Sequence, residues 1–191
     1  VHIAHVSAKM SIDIIRFFKD RGVKVTCETA PHYITLTDQA VGGFDTNTKI
    51  NPPLRSEDDR KALVEALKEG VIDAIATDHA PHHQREKEVE FNSAPCGIVG
   101  LETALPLVLK LYHDGMLTIE RVVELFTAGY GIMGVQGGKI EVGSKADITV
   151  IDTDYQWTVD KNMFLSKGRN TSFHGFHVKG AVFYTLVDGK I

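Results

Sequence analysis

The chain has 191 residues, 43% of them hydrophobic, and a formal net charge of -4. That length can bury a real core, while the acidic balance leaves no basic stripe for phosphates and argues against a nucleic-acid partner. Two cysteines, Cys27 and Cys96, lack a Cys-x-x-Cys spacing, and neither an apolar run of membrane-spanning length nor a charged leader is visible, so a disulfide scaffold, a zinc knuckle and a membrane span are excluded and a cytoplasmic setting is expected.

Val1 is not a start methionine and opens inside a strand-like run, Val1–Ser7, so further chain is expected upstream. Strand alternation places Ile3, His5 and Ser7 on one face and His2 and Ala4 on the other, which favours His5 over His2 as a functional group. Met10, Ile14, Phe17 and Phe18 recur at helical spacing and predict a helix over residues 9–21, with Gly22 as its stop. Val23–Thr29 is rich in β-branched residues and predicts the next strand; Pro31 must leave its ladder, so His32 falls at the C-terminal edge.

A loop over residues 42–48 leads to Lys49-Ile50-Asn51-Pro52-Pro53-Leu54-Arg55, too proline-rich for more than a short strand. Asn51 would serve there as turn chemistry before two prolines. Ser56-Glu57-Asp58-Asp59 forms a capping box for a helix with Ala62, Leu63, Ala66 and Leu67 as its buried stripe and Gly70 as its end. A third strand, Val71–Thr77, then delivers Asp78-His79-Ala80-Pro81-His82. Strand and helix patterns in alternation predict β/α units around a parallel sheet.

Residues 83–97 carry charge without periodicity and are expected to form a lid or binding loop beside the site, with His83 in its solvated part. Cys96 is expected as a small buried or backbone-contact residue rather than a nucleophile, because no partnering base can be assigned to it. Helical patterns cover residues 102–113 and 118–127. After Gly137-Gly138 the pattern changes to short strands, Ile148–Ile151 and a hairpin-like Ala181–Ile191 turning at Asp188-Gly189.

His5, His32 and Asp78 each end a strand. In a β/α barrel the C-terminal strand ends converge on one face, so their separation in sequence is no obstacle to a shared site. Two imidazoles and a carboxylate suit Zn²⁺ or a similar divalent ion that activates water near neutral pH. A single histidine at a strand end is more often a surface residue, and Asp78 near Pro81 would serve as a helix N-cap or turn residue; the metal reading rests on the three together.

The strings His5-Val6-Ser7, Ala30-Pro31-His32-Tyr33, Lys49 to Arg55 and Thr77-Asp78-His79-Ala80-Pro81-His82 follow in the order seen in the latter half of the dihydroorotases of the amidohydrolase superfamily, which the chain resembles over nearly its whole length. Gly137 to Asp147 resembles the segment by which amidohydrolases enter their C-terminal β-domain. The resemblance implies an α/β fold, the C-terminal part of a metal-dependent (β/α)8 TIM-like barrel plus part of a small β-sandwich domain. Residues 1–136 would hold the latter half of the barrel, entered at its fifth strand and running to its eighth, and residues 137–191 the sandwich part.

The resemblance further implies a binuclear Zn²⁺ site, with His5 and His32 on one metal and Asp78 on the other, Asp78 also acting as general base and acid. Asn51 and His82 match substrate contacts, and Cys96-Gly97 a backbone-contact pair in which Cys96 stands where the family often has Phe. The implied reaction interconverts dihydroorotate and N-carbamoyl-aspartate in pyrimidine biosynthesis, in a homodimer, with no nucleic-acid or membrane partner. The family's His-x-His motif, bridging carboxylated lysine and substrate-binding arginine belong to an N-terminal half outside this sequence, so the chain alone is expected to be inactive and to expose sheet edges and apolar surface. Thr127 to Tyr130 and Ser172 depart from the family pattern at positions that touch packing more than chemistry. The alternatives are another cyclic amidohydrolase, of allantoinase or dihydropyrimidinase type, and a non-catalytic fragment or partner that keeps the barrel as a scaffold.

Overall fold

Short parallel strands alternate with helices through the first two thirds of the chain in a computed structural model that describes residues 1–191. The elements are β1 (His2–Ile3), α1 (Lys9–Lys19), β2 (Thr26–Thr29), α2 (Pro31–Thr35), α3 (Glu57–Lys68) and β3 (Ala74–Ile75), with the sheet ordered β1-β2-β3. His2 lies opposite Thr26 and Glu28 opposite Ala74, both in parallel register.

The strands are shorter than their β-rich runs for identifiable reasons. His5 adopts φ 54, which turns the chain out of the ladder before Val6 N–H rejoins Glu28 O at 2.9 Å. Pro31, without an N–H, opens α2 instead of extending β2. The segment from Lys49 to Arg55 forms no strand, its Asn51–Pro52 bond is cis, and β3 pairs directly with β2. A parallel bridge between His79 and Ile98 brings the chain before α5 (Leu101–His113) alongside the end of β3.

Packing corrects one helical stripe. In α1 the buried residues are Ile12 and Ile15, whereas Met10, Ile14, Phe17 and Phe18 are exposed. Both sets satisfy helical spacing, and the anchoring polar contacts decide between them. Lys19 Nζ reaches Asp73 Oδ2 at 2.6 Å and Val71 O at 2.9 Å, while Arg16 pairs with Glu69. The face carrying Ile12 and Ile15 is thereby turned onto the core, and an apolar strip of Met10, Ile14, Phe17 and Phe18 is left outside. In α3, Ser56 Oγ accepts from Asp59 N–H at 3.3 Å, and Leu63, Val64, Ala66 and Leu67 are buried, with Val64 replacing the half-buried Ala62.

The helix α6 (Ile119–Met133) runs past the expected end near residue 127. A glycine inside a helix costs about 1 kcal/mol relative to alanine, too little for Gly129 and Gly131 to stop a helix that buries Val122 and Leu125. Termination waits for Gly134, which takes the left-handed conformation at φ 68.

In the C-terminal part, β4 (Ile148–Thr158) and β5 (His177–Leu186) form an antiparallel pair, both extending beyond the runs visible in sequence. The turn at Asp188-Gly189 forms as expected, with φ values of 52 and 76 and reciprocal backbone hydrogen bonds between Val187 and Lys190. Trp157 Nε1 donates to Gly180 O at 2.9 Å across the pair, and the pair docks on α5, where a Cβ at Gly180 would lie 2.3 Å from Leu109 Cδ1. Val159, Phe164 and Phe173 share one core with the helices and strands of the N-terminal part. No helix is long and apolar enough to cross a membrane.

The two cysteines differ sharply. Cys27 is fully buried, its Sγ donates to Val71 O at 3.3 Å, and burial pushes its thiol up to about 11, whereas Cys96 is exposed. At pH 8 a thiol with that value is about one part in a thousand thiolate. Brief iodoacetamide labelling of the native protein, mapped by mass spectrometry, is expected to modify Cys96 and spare Cys27 until denaturant is added. Equal labelling of both before unfolding would contradict this packing.

Candidate active site

Asp78 is the hub. It follows β3 in the left-handed region at φ 48, as His5 does after β1 at φ 54. A non-glycine residue held there costs on the order of 1 kcal/mol or more, and such strain concentrates at functional sites. No helix starts at Asp78, so the capping use considered for it is not made.

His5 Nε2 lies 3.6 Å from Asp78 Oδ1, and its Nδ1 lies 3.1 Å from Glu28 Oε1 without the alignment of a hydrogen bond. His2 instead meets Thr26 Oγ1 at 2.8 Å and Glu28 Oε2 at 3.2 Å. The strict alternation argued from sequence does not reach His5, because β1 ends at Ile3; the turn at His5 is what aims its ring at Asp78.

His32 sits on α2 with 2% of its surface exposed, edge-on to the Tyr33 ring at a centroid distance of 4.2 Å. Its Nε2 is 3.9 Å from Asp78 Oδ2 and has no hydrogen-bond partner. Burial first, then the neighbouring His5, pushes the His32 imidazole down to about 3, so the ring is neutral at ordinary pH. Burial raises the Asp78 carboxyl above its usual range; His5 pulls it back and Glu28 pushes it further up.

The donor set fits a divalent cation in type: a buried imidazole nitrogen without a partner, a second imidazole and a desolvated carboxylate face one another. It does not make a closed cage, since no three His, Cys, Asp or Glu side chains converge tightly enough to hold an ion by themselves. What is present is one side of a site.

The other sequence-derived positions fall on neighbouring segments. His82 is partly buried, and its Nε2 donates to Cys96 O at 2.9 Å. Cys96 itself is exposed, which corrects the burial considered for it; its carbonyl, not its thiol, makes the contact. Gly97 has φ 144, and a Cβ there would lie 2.7 Å from Ala80 Cβ and 2.8 Å from His82 Nε2, so no larger residue fits. Gly97 N–H donates to Lys49 O at 2.9 Å, which links this pair to the segment carrying the exposed Asn51.

Several residues that hold the site were not legible in sequence. His79 Nδ1 accepts from Gly100 N–H at 3.2 Å and Leu101 N–H at 3.4 Å, seating the start of α5. Lys87 is buried and donates to Thr46 O at 2.9 Å and Pro95 O at 2.8 Å. Lys49 Nζ reaches Phe91 O at 2.8 Å and Asn92 O at 2.9 Å. His83, expected in solvated loop, caps the short helix α4 (Gln84–Lys87) by accepting from Arg85 N–H at 3.2 Å. The loop over residues 83–97 is therefore pinned to the segment at 46–49 at several points, and nothing in its charged sequence distinguishes Lys87 from its neighbours.

Known proteins bear on this arrangement. The model of the Amidohydrolase family matches residues 1–191. The Dihydroorotase of Geobacter metallireducens is 57% identical over 192 residues, covering 100% of this chain and 45% of that protein. The Dihydroorotase of Acetivibrio thermocellus is 52% identical over 193 residues with the same coverage, so the chain spans less than half the length of these relatives. Among solved structures, the L-hydantoinase (dihydropyrimidinase) from Arthrobacter aurescens superposes with a TM-score of 0.93 at 33% identity, over 99% of this chain and 44% of that one. The D-hydantoinase (dihydropyrimidinase) from Thermus sp. gives 0.89 at 29% identity, over 99% and 43%.

Proposed function

Because the chain belongs to the amidohydrolase family, we propose that it is the C-terminal part of a dihydroorotase, supplying some of that enzyme's metal ligands and part of its substrate pocket. The observation that carries this reading is the meeting of His5, His32 and Asp78 beyond three parallel strands, in a chain 57% identical to a dihydroorotase. His5 and His32 would hold one ion of a binuclear site and Asp78 the other, the remaining ligands coming from outside this chain. Zinc suits nitrogen and carboxylate donors, and when bound it makes water nucleophilic near neutral pH and takes up charge on an amide oxygen.

Asp78 takes a proton from the attacking water as the water oxygen bonds to the ring amide carbon. The carbon–nitrogen bond then opens, and Asp78 returns the proton to the leaving nitrogen; ring closure to dihydroorotate runs the same steps backwards. A carboxyl raised by burial is suited to carrying that proton between the two steps. His82 orients the substrate carboxylate, the Cys96-Gly97 backbone lines the pocket, and Asn51 contacts the ring. The setting is cytoplasmic.

The test is a ring-opening assay on the full-length protein. Dihydroorotate is expected to convert to N-carbamoyl-aspartate, with activity lost on chelation and restored by zinc. A folded, zinc-loaded protein that leaves dihydroorotate intact would sink the reading. The similarity to hydantoinase structures supports a second reading, a cyclic amidohydrolase of allantoinase or dihydropyrimidinase type. Faster turnover of hydantoin or dihydrouracil, rings without a carboxylate, would favour that one.

A further inference from the structure

We propose that Asn170 is a positioning residue for substrate binding, an inference that rests on the function just proposed. An asparagine amide presents one acceptor and two donors in a plane, and Asn170 uses all of them on main chain. Its Oδ1 accepts from His82 N–H at 2.9 Å, and its Nδ2 donates to Ala80 O at 2.9 Å and Gly97 O at 3.0 Å. Its own carbonyl accepts from Val99 N–H at 2.8 Å. The residue is 3% exposed; its bond to Gly97 O is fully buried and those to His82 and Ala80 are partly so.

The two segments joined each carry expected substrate contacts. One runs from Asp78 to His82; the other is Cys96 to Val99. Between them the His82 ring touches Cys96 O, and Gly97 is packed against Ala80 so closely that no Cβ is tolerated. Gly168 extends the clamp, since a Cβ there would lie 2.7 Å from Pro81 Cβ. Asp78 is placed differently: Ala76 N–H donates to Thr29 O at 3.0 Å, which sets the strand end below it without help from Asn170. Asn170 therefore governs the spacing of His82 from the Cys96-Gly97 backbone, and with it substrate affinity, while leaving proton transfer at Asp78 untouched.

No other residue type reproduces the three bonds. Asn170→Asp keeps the acceptor for His82 N–H but sets a carboxylate oxygen against the carbonyls of Ala80 and Gly97. Asn170→Ala removes all three. In the full-length, zinc-loaded protein, Asn170→Asp is expected to raise KM for dihydroorotate about tenfold or more, consistent with the loss of one buried and one partly buried hydrogen bond, with kcat within about threefold and bound zinc unchanged. Asn170→Ala is expected to speed amide hydrogen exchange at His82 and Val99 relative to wild type. A KM within twofold of wild type in folded Asn170→Asp overturns the proposal, as does a fall in kcat at constant KM. If the wild-type protein leaves dihydroorotate intact, the proposed function fails; the clamp is then judged by exchange alone, and unchanged rates at His82 and Val99 in Asn170→Ala overturn it.

Discussion

Asp78→Asn in the full-length protein is expected to lower kcat for ring opening by about a thousandfold or more, the upper part of the range for removal of a general acid–base group. The substitution isolates chemistry from architecture. Asp78 sits at φ 48, and asparagine tolerates the left-handed region as well as aspartate does. Burial penalises the charged form of Asp78, so a neutral amide of the same shape leaves stability unchanged or improves it. Activity should therefore collapse while the melting temperature of the metal-free protein holds. Steady-state kinetics, calorimetry and metal content on one preparation read the two effects apart. A variant with kcat within tenfold of wild type would move the proton-transfer role to another group, and one that loses activity only in step with folding would make Asp78 structural.

The candidate site was legible because its residues end recognisable strand patterns. A strand-to-loop transition is a local event, and the strings around His5, His32 and Asp78 announce it through β-branched runs broken by proline or by a polar cluster. The geometry at those ends was not legible. The left-handed turns at His5 and Asp78 depend on neighbouring strands rather than on the residue itself, so alternation, extended through His5, gave the wrong backbone while pointing at the residue that faces Asp78. The buried stripe of α1 was misread for a related reason: two apolar stripes share one helix, and the choice is made by Asp73 and Glu69, more than fifty positions downstream of Lys19 and Arg16.

The supporting residues are the hardest to read. Asn170 reaches His82 across a separation of 88 residues and carries no motif that a local pattern could register. Lys87 looks like one charge among several in an exposed loop until Thr46 O and Pro95 O are seen to enclose it. Groups that hold a site act through long-range main-chain contacts, and hydrophobic periodicity carries no information about those. The turn at Asp188-Gly189 marks the opposite case, where two adjacent residues fix the turn by their own backbone preferences and its place is read correctly, although the strand leading into it pairs with β4 and only a Val187–Lys190 bridge closes the turn.

His32 leads to the second large effect, on stability against acid. Its folded-state value is near 3 against 6.5 for the free side chain, so between those values the unfolded chain binds a proton that the folded chain excludes. The stability associated with a neutral His32 is fully present above pH 6.5 and is lost as the pH falls toward 3. Over the whole window this is on the order of 4 kcal/mol, and roughly 2 to 3 kcal/mol of it is lost between pH 7 and pH 4.5. Asp78 works in the opposite direction, because its raised carboxyl binds a proton more readily folded than unfolded and so gains stability as the pH falls. The His32 contribution is separated by comparing metal-free wild type with His32→Gln in urea unfolding at both pH values. The variant should lose about 2 to 3 kcal/mol less stability on acidification than wild type, and equal losses would show that the ring is not held neutral by its burial. A divalent cation on the same nitrogen competes with the proton for one lone pair, so loading the protein with zinc should raise stability at neutral pH and steepen its decline toward acid in wild type more than in His32→Gln.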